Sequence, residues 1–177
     1  RLELHVKRRD GGRFSQQACD AMKAGDILWI HGPWGDFTVN PASSRAVLFV
    51  ATGTGFAPVK AILESGVLPP ERTIRLYWGG RTRADYYFAP MIAGLLAGYQ
   101  NARFIPVLSQ PEMHDRWTGK TGRVQQWIEK EISDLSGYDV YACGSPAMVR
   151  DAFEMMTTRC GLPAEQFLAD AFYASAV

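Results

Sequence analysis

Cysteine is scarce in this sequence: Cys19, Cys143 and Cys160 are the three among 177 residues. Their number is odd, and no pair has the spacing of a zinc site or an iron–sulfur cluster. That argues against a metal centre held by cysteines in this chain. It suits a reducing cytoplasm, and plain buried packing, the commonest role of a free cysteine, is open to all three thiols. Charge of one sign is also lacking. Nineteen Lys and Arg against eighteen Asp and Glu leave a net charge of +1, dispersed along the chain, so the basic face of a nucleic-acid binder is not expected. No apolar run approaches the roughly 20 residues of a membrane span. No signal peptide is visible, and the chain begins at Arg1 rather than Met, as one with a removed or omitted N-terminus does. There is no internal repeat or low-complexity tract.

What is present is ordinary globular composition, 47% hydrophobic and 21% charged, arranged in two unequal parts. Residues 1–43 read as short strands with one helix. Leu2 to Lys7 alternates apolar and polar side chains, Ser15 suits the cap of a helix over Gln16 to Met22, and Ile27 to Ile30 and Phe37 to Val39 read as further strands. Breakers at Gly11-Gly12, Gly25-Asp26 and Gly32-Pro33-Trp34-Gly35-Asp36 separate them. These pieces are too few to close a barrel or sandwich and look like the end of a β domain. Asn40 to Ser44 reads as a linker.

Residues 44–177 change to strands alternating with helices. Ala46 to Thr52 is an unbroken apolar run, as in a strand covered on both faces. Ile74 to Trp78, Arg103 to Leu108, Asp139 to Ala142 and Phe167-Leu168 follow, with helices expected at Ala57 to Glu64, Asp85 to Leu96, Val124 to Ile132 and Pro146 to Thr158. The pattern predicts an α/β fold with a five-stranded, doubly wound parallel sheet. In such sheets ligands bind beyond the carboxyl ends of the strands.

Glycine-bearing loops follow those ends. Phe49-Val-Ala-Thr-Gly-Thr-Gly-Phe-Ala-Pro58 puts Gly53 and Gly55 directly after the first strand and Pro58 in the first turn of the next helix. The free N–H groups and dipole of a helix start attract an anion such as a pyrophosphate, with the Thr52 and Thr54 hydroxyls on the same rim. A tight strand-to-helix corner explains the same glycines, and Pro58 stands where the usual dinucleotide fingerprint has a third Gly or Ala. Gly79-Gly80-Arg81-Thr82-Arg83 follows the second strand. Its arginines suit an adenosine phosphate, or a solvated turn. Ser109-Gln110-Pro111 follows the third. Cys143-Gly144-Ser145-Pro146-Ala147-Met148 follows the fourth and repeats the first loop's logic.

Gly53-Thr54-Gly55-Phe56-Ala57-Pro58 paired with Cys143-Gly144-Ser145-Pro146-Ala147-Met148-Val149 resembles the nicotinamide-nucleotide domain of the ferredoxin–NADP reductase superfamily. Tyr77-Trp78-Gly79-Gly80-Arg81, Leu108 to Pro111 and Phe167 to Phe172 agree with it. The closest flavour is the bacterial oxygenase reductases and the CDP-6-deoxyglucoseen reductase-like group, and the resemblance covers nearly the whole chain. It implies hydride transfer from NADH or NADPH to FAD, then single electrons to an iron–sulfur protein or domain, or to an oxygenase component. By position, Gly53, Thr54, Gly55 and Pro58 are implied to receive the pyrophosphate and ribose, and Arg81 and Arg83 to face the adenosine end. Cys143 and Gly144 are implied to lie beside the nicotinamide and Phe172 over the flavin, which makes Cys143 and Phe172 the candidates nearest the chemistry. Thr52, Gly79, Ser109, Pro146 and Met148 are further cofactor-binding candidates in the same loops. His5, Val6 and Lys7 with Gly12, Phe14 and Ser15 resemble the second half of the flavin motif set, which makes residues 1–43 the C-terminal part of a flavin-binding antiparallel β-barrel. The family's upstream Arg-x-Tyr-Ser signature is absent, so the chain resembles part of a longer reductase.

Neither a Ser-His-Asp triad nor paired carboxylates are required by such chemistry. Cys143 has no neighbouring base in its motif to make it a nucleophile, and the absence of a Tyr-x-x-x-Lys pair argues against a short-chain dehydrogenase. A nucleotide-binding or electron-transfer subunit that turns over only with a partner remains open.

Overall fold

The computed structural model describes residues 2–173, which divide into a first unit, Arg1–Asp36, and a second, Phe37–Val177. The division falls before Phe37 rather than at the expected linker. Phe37 and Val39 pack on an apolar cluster of the second unit, the Phe37 ring meeting Tyr141 edge-on at 5.8 Å.

The first unit contains helix α1, Arg13–Gln16, continued by a π-helical turn, Gln17–Ala21. The expected strands at Leu2 to Lys7, Ile27 to Ile30 and Phe37 to Val39 are not formed among the described residues. A strand is a property of a pair, and no neighbouring segment offers these a ladder. Ile27 and Trp29 are 81% and 96% exposed, so no layer covers them. The helix also starts earlier than expected, with Gly12 at its cap. Ser15 lies inside it, its hydroxyl accepting the Arg9 N–H at 3.1 Å and donating to the Gly12 carbonyl at 3.3 Å.

The second unit holds a parallel sheet of six strands rather than the expected five: β1 Ala46–Thr52, β2 Ile74–Gly80, β3 Ala102–Leu108, β4 Lys120–Thr121, β5 Tyr138–Gly144 and β6 Phe167–Ala171, in the order β4-β3-β2-β1-β5-β6. The additional strand, β4, is two residues long, too short to show a period. It pairs with the end of β3, and Lys120 reaches Glu131. Burial acts to raise the Glu131 carboxyl, but Lys120 and the Tyr77 hydroxyl, which donates to it at 2.6 Å, overcome this and hold it below the usual range.

Alternation along the central strand builds both layers. Val47, Phe49 and Ala51 join Ile74, Leu76 and Trp78 against α2 (Phe56–Ser65) and α3 (Ala89–Leu96). Leu48 and Val50 join Tyr77, Val107, Val140 and Ala142 against α4 (Val124–Glu131) and α5 (Pro146–Arg159). Residues at helical spacing, Val149, Ala152 and Met156, supply the buried stripe of α5.

At the amino edge of the sheet, Arg72 and Asp139 form a buried ion pair of 2.7 Å, both about 5% exposed or less. Arg72 also donates to the Arg45 and Asn40 carbonyls, tying the entry segment to the strands. Removing Arg72 leaves the buried Asp139 carboxylate with only the longer, 3.9 Å contact to Arg45, and removing Asp139 leaves the Arg72 guanidinium buried without a counter-charge. Arg72→Ala is therefore expected to cost about 3–5 kcal/mol in urea unfolding, and Arg72→Met with Asp139→Leu to recover most of it. A single-variant loss under about 1 kcal/mol would contradict this role.

Candidate functional site

From β1 the chain winds to β2, β3 and β4 on one side, and returns to β5 and β6 on the other. The connections therefore diverge between β1 and β5 at their carboxyl ends, where a doubly wound sheet opens a crevice. Thr52 to Gly55 leaves β1 there, and Gly144 to Pro146 leaves β5.

These two corners interlock. A Cβ on Gly55 would lie 2.1 Å from the Cys143 carbonyl oxygen, and one on Gly144 would lie 2.2 Å from Thr52 Oγ1. Gly144 also has φ +135°, which L side chains rarely adopt. The Ser145 N–H donates to Thr52 Oγ1 at 3.0 Å, closing the clip. Each corner then feeds a helix. A 3₁₀ turn, Gly53–Gly55, leads into α2, and Ser145 caps α5 by accepting the Met148 N–H at 3.2 Å, with Pro146 opening that helix. Two helix starts thus share one rim, each with N–H groups that lack intrahelical acceptors.

The adjoining loops carry the cationic side chains. The Arg81 guanidinium donates to Gln110 Oε1 from Nε at 3.3 Å and Nη2 at 3.1 Å. Arg83 Nη1 donates to the Asp115 carbonyl at 3.1 Å. Both acceptors are neutral, so these contacts orient the cations without cancelling their charge. Asp85 fixes the turn that presents them, accepting the Arg81 and Thr82 N–H groups at 2.7 and 3.3 Å.

The structure therefore gathers Thr52, Gly53, Thr54, Gly55, Pro58, Gly79, Arg81, Arg83, Ser109, Cys143, Gly144 and Pro146 along one edge of the sheet. Phe172 joins them, its N–H donating to the Gly144 carbonyl at 2.8 Å. Ser109 turns back to the Gly80 carbonyl through its N–H and hydroxyl, at 2.9 and 3.3 Å. Met148 sends its side chain into the core, and its backbone N–H serves the cap. Cys143 is fully buried, and burial first, then the Asp170 charge, pushes its thiol up to about 12. It is a neutral thiol at physiological pH and no nucleophile.

His5, Val6, Lys7, Gly12, Phe14 and Ser15 all belong to the first unit, where His5 lies 2.9 Å from Glu3 and Ser15 is engaged as above. Three residues of the edge carry no site role in the sequence reading: Gln110 and Asp115, which hold the arginines, and Trp78, whose indole Nε1 donates to the Gly53 carbonyl at 3.0 Å. Gln110 and Trp78 stand inside motifs quoted from the sequence, without a signal for what they contact; Asp115 stands in none.

Residues 49–154 match the oxidoreductase NAD-binding domain family. Over 176 residues the chain is 38% identical to the CDP-6-deoxy-L-threo-D-glycero-4-hexulose-3-dehydrase reductase of Yersinia pestis, covering 98% of this chain and 52% of that protein. It is 32% identical over 177 residues to the NAD(P)H-flavin reductase of Aliivibrio fischeri, covering 97% of this chain and 73% of that one. The structure of an Amycolatopsis cytochrome P450 reductase superposes with a TM-score of 0.86 at 28% identity, covering 96% of this chain and 51% of that one. The chain spans about half the length of the Yersinia and Amycolatopsis proteins.

At pH 8 a thiol with a pKa of about 12 is ionised to about one part in ten thousand. Iodoacetamide is therefore expected to label exposed Cys19 in the native chain, and Cys143 and Cys160 only after denaturation. Native labelling of Cys143 at the rate of Cys19, read by mass spectrometry, would contradict its burial.

Proposed function

The chain belongs to the oxidoreductase NAD-binding domain family, and on that premise we propose that it holds NADH or NADPH across the carboxyl edge of its sheet as part of a longer flavoprotein reductase. The observation that carries this reading is the pair of interlocked glycine corners at the switch point, each opening a helix onto the same rim. A side chain at Gly55 or Gly144 would collide with the opposite corner, while Gly53, at φ +54° with open space where a Cβ would stand, leaves the backbone between them accessible to a phosphate.

In this reading the pyrophosphate and adjoining ribose lie on Gly53, Thr54, Gly55 and the start of α2 at Pro58. Arg81 and Arg83 take the adenosine end. The nicotinamide lies towards Cys143 and Gly144, bordered by Phe172. FAD, when bound, would supply the hydride acceptor and one-electron chemistry. Within the first unit, His5 to Lys7, Gly12, Phe14 and Ser15 are the residues that would contact it. The names of the relatives, which speak of a flavin, a ferredoxin, a monooxygenase and a dehydrase, support a flavin partner for the nucleotide and an iron–sulfur protein such as a ferredoxin, an oxygenase component or a dehydrase as the final acceptor. No helix among the described residues is long and apolar enough to cross a membrane; a cytoplasmic setting is part of the proposal.

The protein's contribution is orientation and exclusion of water. It needs no acid or base of its own, because hydride moves between the two cofactors.

Two experiments test this. With FAD bound in the longer protein, anaerobic NADH or NADPH is expected to bleach the oxidised-flavin absorption. Dinucleotide binding without bleaching would instead identify a nucleotide-binding subunit that turns over only with a partner. Arg81→Ala is expected to weaken NADPH about tenfold more than NADH, the worth of one charge-assisted hydrogen bond to a 2′-phosphate. Equal losses for the two nucleotides would remove that role.

A further inference from the structure

We propose that Trp78 is a positioning residue for the pyrophosphate turn. It lies on β2, beside β1, and is fully buried on the α2/α3 face of the sheet. Its indole Nε1 donates to the Gly53 carbonyl at 3.0 Å. Its ring stacks on Phe56, the first residue of α2, at 4.3 Å and 16° between planes. Tyr86 and Tyr87 meet the indole edge-on at 5.2 and 5.4 Å, and the Tyr86 hydroxyl donates to the Trp78 carbonyl at 3.0 Å. The indole is therefore fixed on several sides while it grips both ends of the turn.

The consequence follows from peptide geometry. In a planar trans peptide the carbonyl of one residue and the N–H of the next point in opposite directions. Trp78 draws the Gly53 carbonyl towards the buried face, where the Phe56 N–H also reaches it. The Thr54 N–H is thereby turned the other way, towards the rim. A glycine offers little resistance to rotation of its peptide plane. Without the indole N–H, the Gly53 carbonyl keeps the Phe56 N–H as its one remaining donor here, so the Gly53–Thr54 peptide rotates more readily and brings carbonyl lone pairs, rather than an N–H, against an incoming phosphate. Trp78 touches no ligand in this scheme; it acts through Gly53. The role rests on the reading of this edge as a dinucleotide seat.

Trp78→Phe keeps an aromatic ring on Phe56 and removes the donor. Tyr99→Phe removes a comparable hydrogen bond, from the Tyr99 hydroxyl to the Leu63 carbonyl at the far end of α2, and serves as the control. Binding of ADP-ribose, which carries the pyrophosphate, and of 2′-AMP, which lacks it, is measured by titration calorimetry on each chain. Trp78→Phe is expected to weaken ADP-ribose 5- to 10-fold while 2′-AMP stays within twofold, and Tyr99→Phe to change neither. ADP-ribose unaffected by Trp78→Phe, or both ligands weakened in parallel, would overturn the proposal. Should Trp78→Phe not fold, the benzothienylalanine isostere at position 78 retains size and stacking without the N–H, and the same two outcomes decide. Failure of the unsubstituted chain to bind ADP-ribose would overturn the dinucleotide reading itself, and is told apart from failure of the Trp78 role by that measurement alone.

Discussion

The close approach of two backbones at the switch point is the constraint on which the site depends. Gly55 sits against the Cys143 carbonyl, and Gly144 against Thr52, with no room for a Cβ at either. That contact sets where α2 and α5 begin, because each helix starts within a few residues of the contact. It also fixes Thr52, whose hydroxyl accepts the Ser145 N–H and so joins the two corners. A displaced corner would move a helix start and the loop bearing it together. The rim is consequently built from backbone more than from side chains, which suits recognition of a phosphate by N–H groups.

The two edges of the sheet divide the labour. The amino edge is closed by the buried Arg72–Asp139 pair and by the hydrogen bonds of Arg72 to the entry segment. The carboxyl edge is left to loops that present glycines and oriented arginines. Between them the strands are covered on both faces by apolar side chains from all four long helices. This rigid middle is what lets loops that contribute little packing hold a fixed geometry. Trp78 belongs to both regions: its ring is core, and its one polar atom reaches the rim.

Much of the second unit was legible because its signals are local. The run from Ala46 to Thr52 must be a strand covered on both faces, and a Gly followed by a Pro-opened helix marks the end of a strand twice. The first unit was misread for the complementary reason. Leu2 to Lys7 and Ile27 to Ile30 carry strand-like patterns, but a ladder requires a partner that the pattern does not name. The two residues of β4 are too few to carry a period at all. Within the site, the loops were legible and their supports were not. Gln110 and Asp115 lie far along the chain from the arginines they hold, and nothing before folding shows that the Trp78 indole meets Gly53. Met148 shows the converse: it stands in the recognised loop, yet its side chain is spent on the core.

The most direct test of the central claim is a titration of the isotopically labelled chain with ADP-ribose, followed through its backbone amide resonances. Saturable shifts concentrated at Thr52 to Phe56, Arg81 to Arg83 and Gly144 to Ala147 are the predicted result. Shifts confined to other surfaces, or none at saturating ligand, would contradict the assignment of this edge as the nucleotide seat.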